Sequence, residues 1–268
     1  MKFGVFDHMD RASPDLGRQF EERLRLIELY EKAGFHAYHL AEHHATPLGM
    51  APSPSVFLAA VAQRTTRLRF GPLVYTLNLY HPLRLIDEGP IDYLTFDYLA
   101  EITMSIMQKQ RLRDPNLGYA TDFVKLVGKI ARKCKDKKIK IIANAGGVNL
   151  KACLAATKKA IADAGVTGLK VAIVEGDDIL DQLPALRASG EKFANLDTGE
   201  DISTVIDRLS SANVYIGAKP IADALAQGAD IVITGRATDP SLVVAPLVYE
   251  FGWSMTDSRV ALGHESAK

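Results

Sequence analysis

The chain has 268 residues, with 32 Lys+Arg against 32 Asp+Glu, so its formal net charge is zero. That balance argues against a protein that works by gripping nucleic acid or an anionic membrane, since either needs a basic excess on one face. At 47% hydrophobic and 24% charged residues the composition is that of a globular protein with a core, and no apolar run is long enough to span a bilayer.

The opening MKFGVFDHMDR holds no stretch suited to a signal peptide, so a cytoplasmic location is expected. FGVFD (3–7) is a short apolar strand ending in a carboxylate, and Asp15 is placed to cap a helix that Gly34 ends. AYHLAEHH (37–44) predicts a second strand, PSVFLAAVAQRT (54–65) a second helix, LRFGPLVYTL (68–77) a third strand, and HPLRLIDE the start of a third helix. Strands and helices alternating at this spacing indicate βα units on a parallel sheet, with chemistry at the carboxyl ends of the strands. The sharpest cluster there is Glu42, His43 and His44, where a carboxylate can orient an imidazole for proton transfer. Successive side chains on a strand point to opposite faces, so His43 and His44 share a site only if the strand ends before them.

The segments MKFGVFDHMDR, LAEHHATPLGMAPSPSVFLAAVAQRTTRLRFGPLVYTL and LYHPLRLIDE resemble the amino-terminal third of the luciferase-like flavin-dependent monooxygenases. The resemblance implies a TIM barrel that uses reduced FMN or F420 with oxygen, and it maps an active-site histidine onto His44. Only three βα units are present, and three cannot close a barrel. FMN is therefore expected only if this piece works as a flavin site.

Near Asp87–Pro90 the chain changes character. Residues 1–88 hold 2 Lys and 8 Arg, whereas 89–268 hold 15 Lys and 7 Arg, and six of the seven histidines lie in the first part. The expected division is therefore 1–88 and 89–268. IDYLTFDYLA predicts a strand, EITMSIMQKQRLRD a helix, and TDFVKLVGKIARKCKDKK a helix with a Thr-Asp cap and a Lys-rich last turn. IKIIANAGGVN, LKACLAATKKAIADAG and LKVAIVEGDD read as strand, helix and strand. The stretch from Val214 to Trp253 reads as strand, helix, strand, tight turn and helix. The second part is thus an α/β unit with a Rossmann-like parallel sheet. The whole chain is expected to be that core preceded by three βα units of an incomplete TIM barrel. Cys134 and Cys153 are in no CxxC arrangement and sit on predicted helices without a paired histidine, which argues against a disulfide framework, a structural zinc or a thiol nucleophile.

Three strand ends stand out in this part. NAGGVN places Gly146 and Gly147 where backbone can approach a ligand, with Asn144 and Asn149 as hydrogen-bonding partners. VEGDD gathers Glu175, Asp177 and Asp178, a density of carboxylates suited to acid/base work or to holding a hard cation. TGRATDPS puts Thr234, Gly235 and Arg236 at a strand end, with Asp239 as the expected helix cap and Arg236 as the expected holder of an anionic group. In one parallel sheet these turns share an edge and should converge.

GPIDYLTFDYLAEITMSIM, IKIIANAGGVN, GLKVAIVEGDD, SANVYIGAKPIADALAQGADIVITGRATDPSLVVAPLVYEFGW and ALGH resemble, collinearly over about 89–265, the core of the acyclic terpene utilisation (AtuA-type) family. The resemblance implies a part in breaking down citronellol- or geraniol-like terpenes through branched acyl-CoA thioesters. It also implies a core without the usual Gly-rich start and the usual continuation past ALGH. The resulting expectation is an anionic acyl or acyl-CoA ligand at the three turns, with Asp177 or Asp178 as acid/base and a homo-oligomer or partner subunit as company. The other expectations are a flavin monooxygenase working through His44 and a non-catalytic scaffold or inactive fusion.

Overall fold

In a computed structural model of the chain, the described residues are 2–76, 79–89 and 91–256. They form two compact units that divide between Leu85 and Ile86.

The first unit carries the parallel strands β1 (Gly4–Asp7), β2 (Ala37–Leu40) and β3 (Arg69–Pro72) in the order β1-β2-β3. Helices α1 (Leu16–Lys32) and α2 (Pro54–Arg64) follow β1 and β2, and α3 (Pro82–Glu88) follows β3. Asp15 caps α1 by accepting from the Arg18 amide. Leu24 and Ile27 of α1 and Phe57, Leu58 and Val61 of α2 bury one face of the sheet against Tyr38 and Leu40. Strand alternation sends Phe6 to the other face, where it is 46% exposed. The expected strand over 37–44 runs only to Leu40: the Ala41 amide still donates to the Asp7 carbonyl, and residues 41–44 then leave the strand.

The second unit holds β4 (Tyr93–Phe96), β5 (Lys140–Ala143), β6 (Val171–Val174) and β7 (Ile231–Thr234), all parallel, in the order β4-β5-β7-β6. Its helices are α4 (Glu101–Arg113), α5 (Thr121–Lys137), α6 (Leu150–Asp163), α7 (Leu183–Ala188), α8 (Ala218–Ala226) and α9 (Ser241–Phe251). Ile142, Val174 and Val232 pack on α8 and α9 through Ile221, Leu225, Leu242 and Val248. Ile141, Ala143, Ile231 and Ile233 alternate to the opposite face, where α5 and α6 pack on each other. Phe123, Val127, Ile130 and Cys134 make the buried stripe of α5 at helical spacing. Both faces are therefore covered, as the near-continuous apolar strands require.

Three local expectations change. Val214–Gly217 is not a strand: its amides and carbonyls bond to Asp177, Arg236 and Thr238, beyond the ends of β6 and β7. Thr121 is the first residue of α5, and no side chain caps that helix. Asp239 does not cap α9; its carboxylate is drawn 2.8 Å from Arg236 Nη1 instead.

Candidate functional site

Strand β5 leads into α6 on one face of the sheet, whereas β7, its neighbour, leads into α9 on the other. Adjacent strands whose outgoing loops part in this way open a crevice at their carboxyl ends. The loop after β5 is fixed there by the Gly146 amide, which donates to the Thr234 carbonyl over 2.9 Å. Gly146 has no alternative residue at this approach, since a Cβ would lie 2.4 Å from Leu150 Cδ2 and 2.7 Å from the Thr234 carbonyl. The loop after β7 meets the loop after β6 where the Arg236 amide donates to Asp177 Oδ2 over 2.9 Å. Gly235 makes that contact, because a Cβ in its place would come within 2.3 Å of the Asp177 carboxylate. The three expected turns therefore do meet.

Their side chains divide the work. A cleft of about 250 Å3 is lined by Gly147–Lys151, Glu175–Asp178, Arg111 and Asn213. Asp177 is 3% exposed, and Asn213 Nδ2 donates to its Oδ2 over 2.9 Å. Burial raises its pKa above the ordinary aspartate value, against the opposing donations from the Arg236 amide and Asn213. Asp178 is exposed, and its Oδ1 accepts from the Leu180 amide to start the short helix after β6. Glu175 lies exposed with Oε1 4.0 Å from Lys151 Nζ. Asn149 caps α6 and also donates to the carbonyls of Pro115 and Leu117, each at 2.8 Å. Asn144 is fully buried and is turned toward β4, its Nδ2 donating to Asp97 Oδ1 and its Oδ1 accepting from the Tyr98 amide, both at 2.6 Å. Thr234 is buried, its hydroxyl donating to the Gly235 carbonyl.

Arg236 is only 7% exposed and points away from the cleft. Its Nη1 is 2.8 Å from Asp239 Oδ1, its Nη2 is 3.4 Å from Glu101 Oε1, and its guanidinium lies 4.2 Å from the centre of the Tyr215 ring. Burial works against its charge, but Asp239 and Tyr215 more than offset that and raise its pKa above the ordinary arginine value. The cations that do face the cleft are Arg111, whose Nη1 donates to the Val148 carbonyl over 2.6 Å, and Lys151. Sequence reading missed both of them, and Asn213 as well. Lys151 had a local signal, two residues after the α6 cap. Arg111 had none, because only the placement of α4 beside the β5 loop brings it in.

In the first unit, Glu42 is buried and its Oε1 lies 2.7 Å from Nε2 of His44, a half-exposed side chain. His43 belongs to a different contact, with Nε2 3.3 Å from His8 Nδ1 and the two rings stacked. Cys134 and Cys153 are buried, and desolvation pushes their thiols up to about 11 and about 12, so neither is a nucleophile at neutral pH. Among the described residues no helix is long and apolar enough to cross a membrane, and no group of three or more His, Cys, Asp or Glu could hold a metal ion.

The profile of the acyclic terpene utilisation family protein AtuA matches residues 74–264, which takes in the whole crevice. The chain belongs to the AtuA family. Ahead of the AtuA core, and overlapping it, a luciferase-like monooxygenase domain matches residues 1–88. Relatives of that leading segment include the protein y4wF of Sinorhizobium fredii, 53% identical over 88 residues, which are 33% of this chain and 26% of the relative. Limonene 1,2-monooxygenase of Rhodococcus erythropolis is 36% identical over 87 residues, covering 32% of this chain and 22% of the enzyme. A flavin-dependent trigonelline monooxygenase component of Acinetobacter baylyi is 31% identical over 91 residues, 33% of this chain and 25% of that protein. The AtuA chain thus spans about a quarter of the length of these relatives. The FMN-bound oxygenating constituent of 3,6-diketocamphane monooxygenase from Pseudomonas putida aligns over 92% of this chain and 94% of its own, at 14% identity and a TM-score of 0.32.

Proposed function

We propose that the unit from Ile86 onward binds an anionic acyl or acyl-CoA-like ligand of acyclic terpene breakdown in the cleft between the β5 and β6 loops. The observation that carries this reading is the composition of that cleft: two cations, Arg111 and Lys151, line it together with the buried carboxyl of Asp177 and the exposed carboxylates of Glu175 and Asp178. The cations and the start of α6 favour a negative group, and charge-assisted bonds of this kind contribute more than neutral ones. Asp177, held by Asn213 and the Arg236 amide, is the group suited to keep or release a proton at the cleft wall. Asp178 and Glu175 shape the rim, and Asn144, Asn149 and Thr234 hold the loops.

Titrating decanoyl-CoA into the full chain by calorimetry tests this. Saturable binding is expected, weakened about tenfold or more by Lys151→Ala combined with Arg111→Ala. Absence of binding, or equal binding by that double variant, contradicts the proposal.

A second reading, a flavin monooxygenase acting through His44, is favoured by the Glu42–His44 contact alone. The rest of the first unit does not fit FMN. Among the described residues β1 and β3 pair on one side only, Phe6 is 46% exposed and His44 is half-exposed, whereas oxygen chemistry on a reduced flavin needs a site closed to water. No step is assigned to a flavin.

A further inference from the structure

Arg236 has the features of a ligand-binding arginine in sequence and of something else in space. It follows the end of an inner strand, yet its Nη groups and guanidinium face are turned to the protein: Asp239 at 2.8 Å, the Ala237 carbonyl at 2.9 Å, Glu101 at 3.4 Å and the Tyr215 ring at 4.2 Å. The Tyr215 hydroxyl also donates to Glu101 Oε1, so the three side chains close a triangle.

Each corner lies on a different segment that carries or holds a residue of the cleft. Glu101 is in the first turn of α4, and Arg111, the cleft cation, is on the same helix. Tyr215 is two residues from Asn213, which donates to Asp177. Arg236 itself donates its amide to the same Asp177 oxygen. The segment around Tyr215 is further tied by the Val214 amide to the Asp177 carbonyl at 2.8 Å and by the Ile216 amide to the Arg236 carbonyl at 3.1 Å. Gln108 of α4 reaches the Ser210 carbonyl at the head of this segment.

Resting on the function proposed above, the geometry points to Arg236 as a positioning residue: with Tyr215 and Glu101 it locks α4 and residues 210–217 together, and so fixes Arg111 and Asn213 relative to Asp177. It does not touch the ligand. An arginine is needed because only its planar fork offers separate N–H groups to Asp239 and Glu101 while stacking on an aromatic face; a lysine offers one point charge.

The test uses Glu101→Gln and Tyr215→Leu, both at exposed side chains, alongside Arg236→Lys. Hydrogen exchange of residues 210–217 reads the lock without any ligand, and calorimetry with decanoyl-CoA reads the cleft. Each variant is expected to raise exchange in 210–217 about tenfold while α5 and α6 stay protected, and to weaken decanoyl-CoA about fivefold, although none of the three residues lines the cleft. Unchanged exchange in both Glu101→Gln and Tyr215→Leu overturns the lock. Raised exchange with unchanged affinity overturns its role in the cleft. If the unaltered chain binds no decanoyl-CoA, the function proposed above fails, and the exchange experiment still decides whether the lock exists.

Discussion

Residues 1–85 and 86–268 use the same grammar of parallel strands joined by helices, but they solve the burial problem differently. The first unit covers one face of three strands and leaves Phe6 on the other, with β1 and β3 both at an edge. The second covers both faces of four strands and reverses its winding between β5 and β7. A crevice arises from that reversal, whereas the first sheet is wound in one direction, and its strand-end groups His8 and His44 lie exposed. The difference teaches that strand-end residues become a site only when the topology brings loops together across them.

Separating the units is the largest way to break this comparison. Residues 86–268 expressed alone are expected to unfold cooperatively in urea, followed by circular dichroism, while 1–85 alone gives no cooperative transition. A cooperative transition from 1–85 would remove the contrast in self-sufficiency. Within the second unit, Phe123→Ala is expected to cost about 3–5 kcal/mol, because Phe123 is fully buried beneath the sheet. A loss below about 1 kcal/mol would mean that the α5 side is loosely packed.

Gly235→Ala sharpens the comparison at the site. Its Cβ would displace the Asp177 carboxylate, and a loss of about 1–3 kcal/mol is expected, together with loss of decanoyl-CoA binding. Removing the cap in Asn149→Ala is a smaller change, about 1–2 kcal/mol by urea melts, since one cap and two side-chain bonds to carbonyls go together. The smallest effect is pH-dependent. The Asp177 pKa is raised by folding, so its contribution to stability is complete below the unfolded aspartate value and falls away as pH rises through the folded value. Asp177→Asn should therefore show a smaller loss of stability between pH 4 and pH 7 than the unaltered chain, read from urea melts at the two pH values.

The strands and most helices were legible because apolar periodicity and turn residues agree with the tertiary environment, as in α5 and β7. Val214–Gly217 looked like a strand by composition, but its partners are loops past two different strands, which only the topology supplies. The convergence of NAGGVN, VEGDD and TGRATDPS followed from parallel strands sharing an edge. The direction of individual side chains did not. Asn144 turns to Asp97, and Arg236 turns to Glu101 and Tyr215, residues 135 and 21 positions away in the chain. Arg111 was invisible for the same reason, since nothing near it in sequence marks a binding residue.

Amide chemical shifts of the 15N-labelled full chain titrated with decanoyl-CoA test the central claim most directly. Perturbations are expected to concentrate at Gly147–Lys151, Glu175–Asp178 and Asn213, with residues 1–85 unmoved. Perturbations gathered around His44, or spread without a focus over both units, would contradict it.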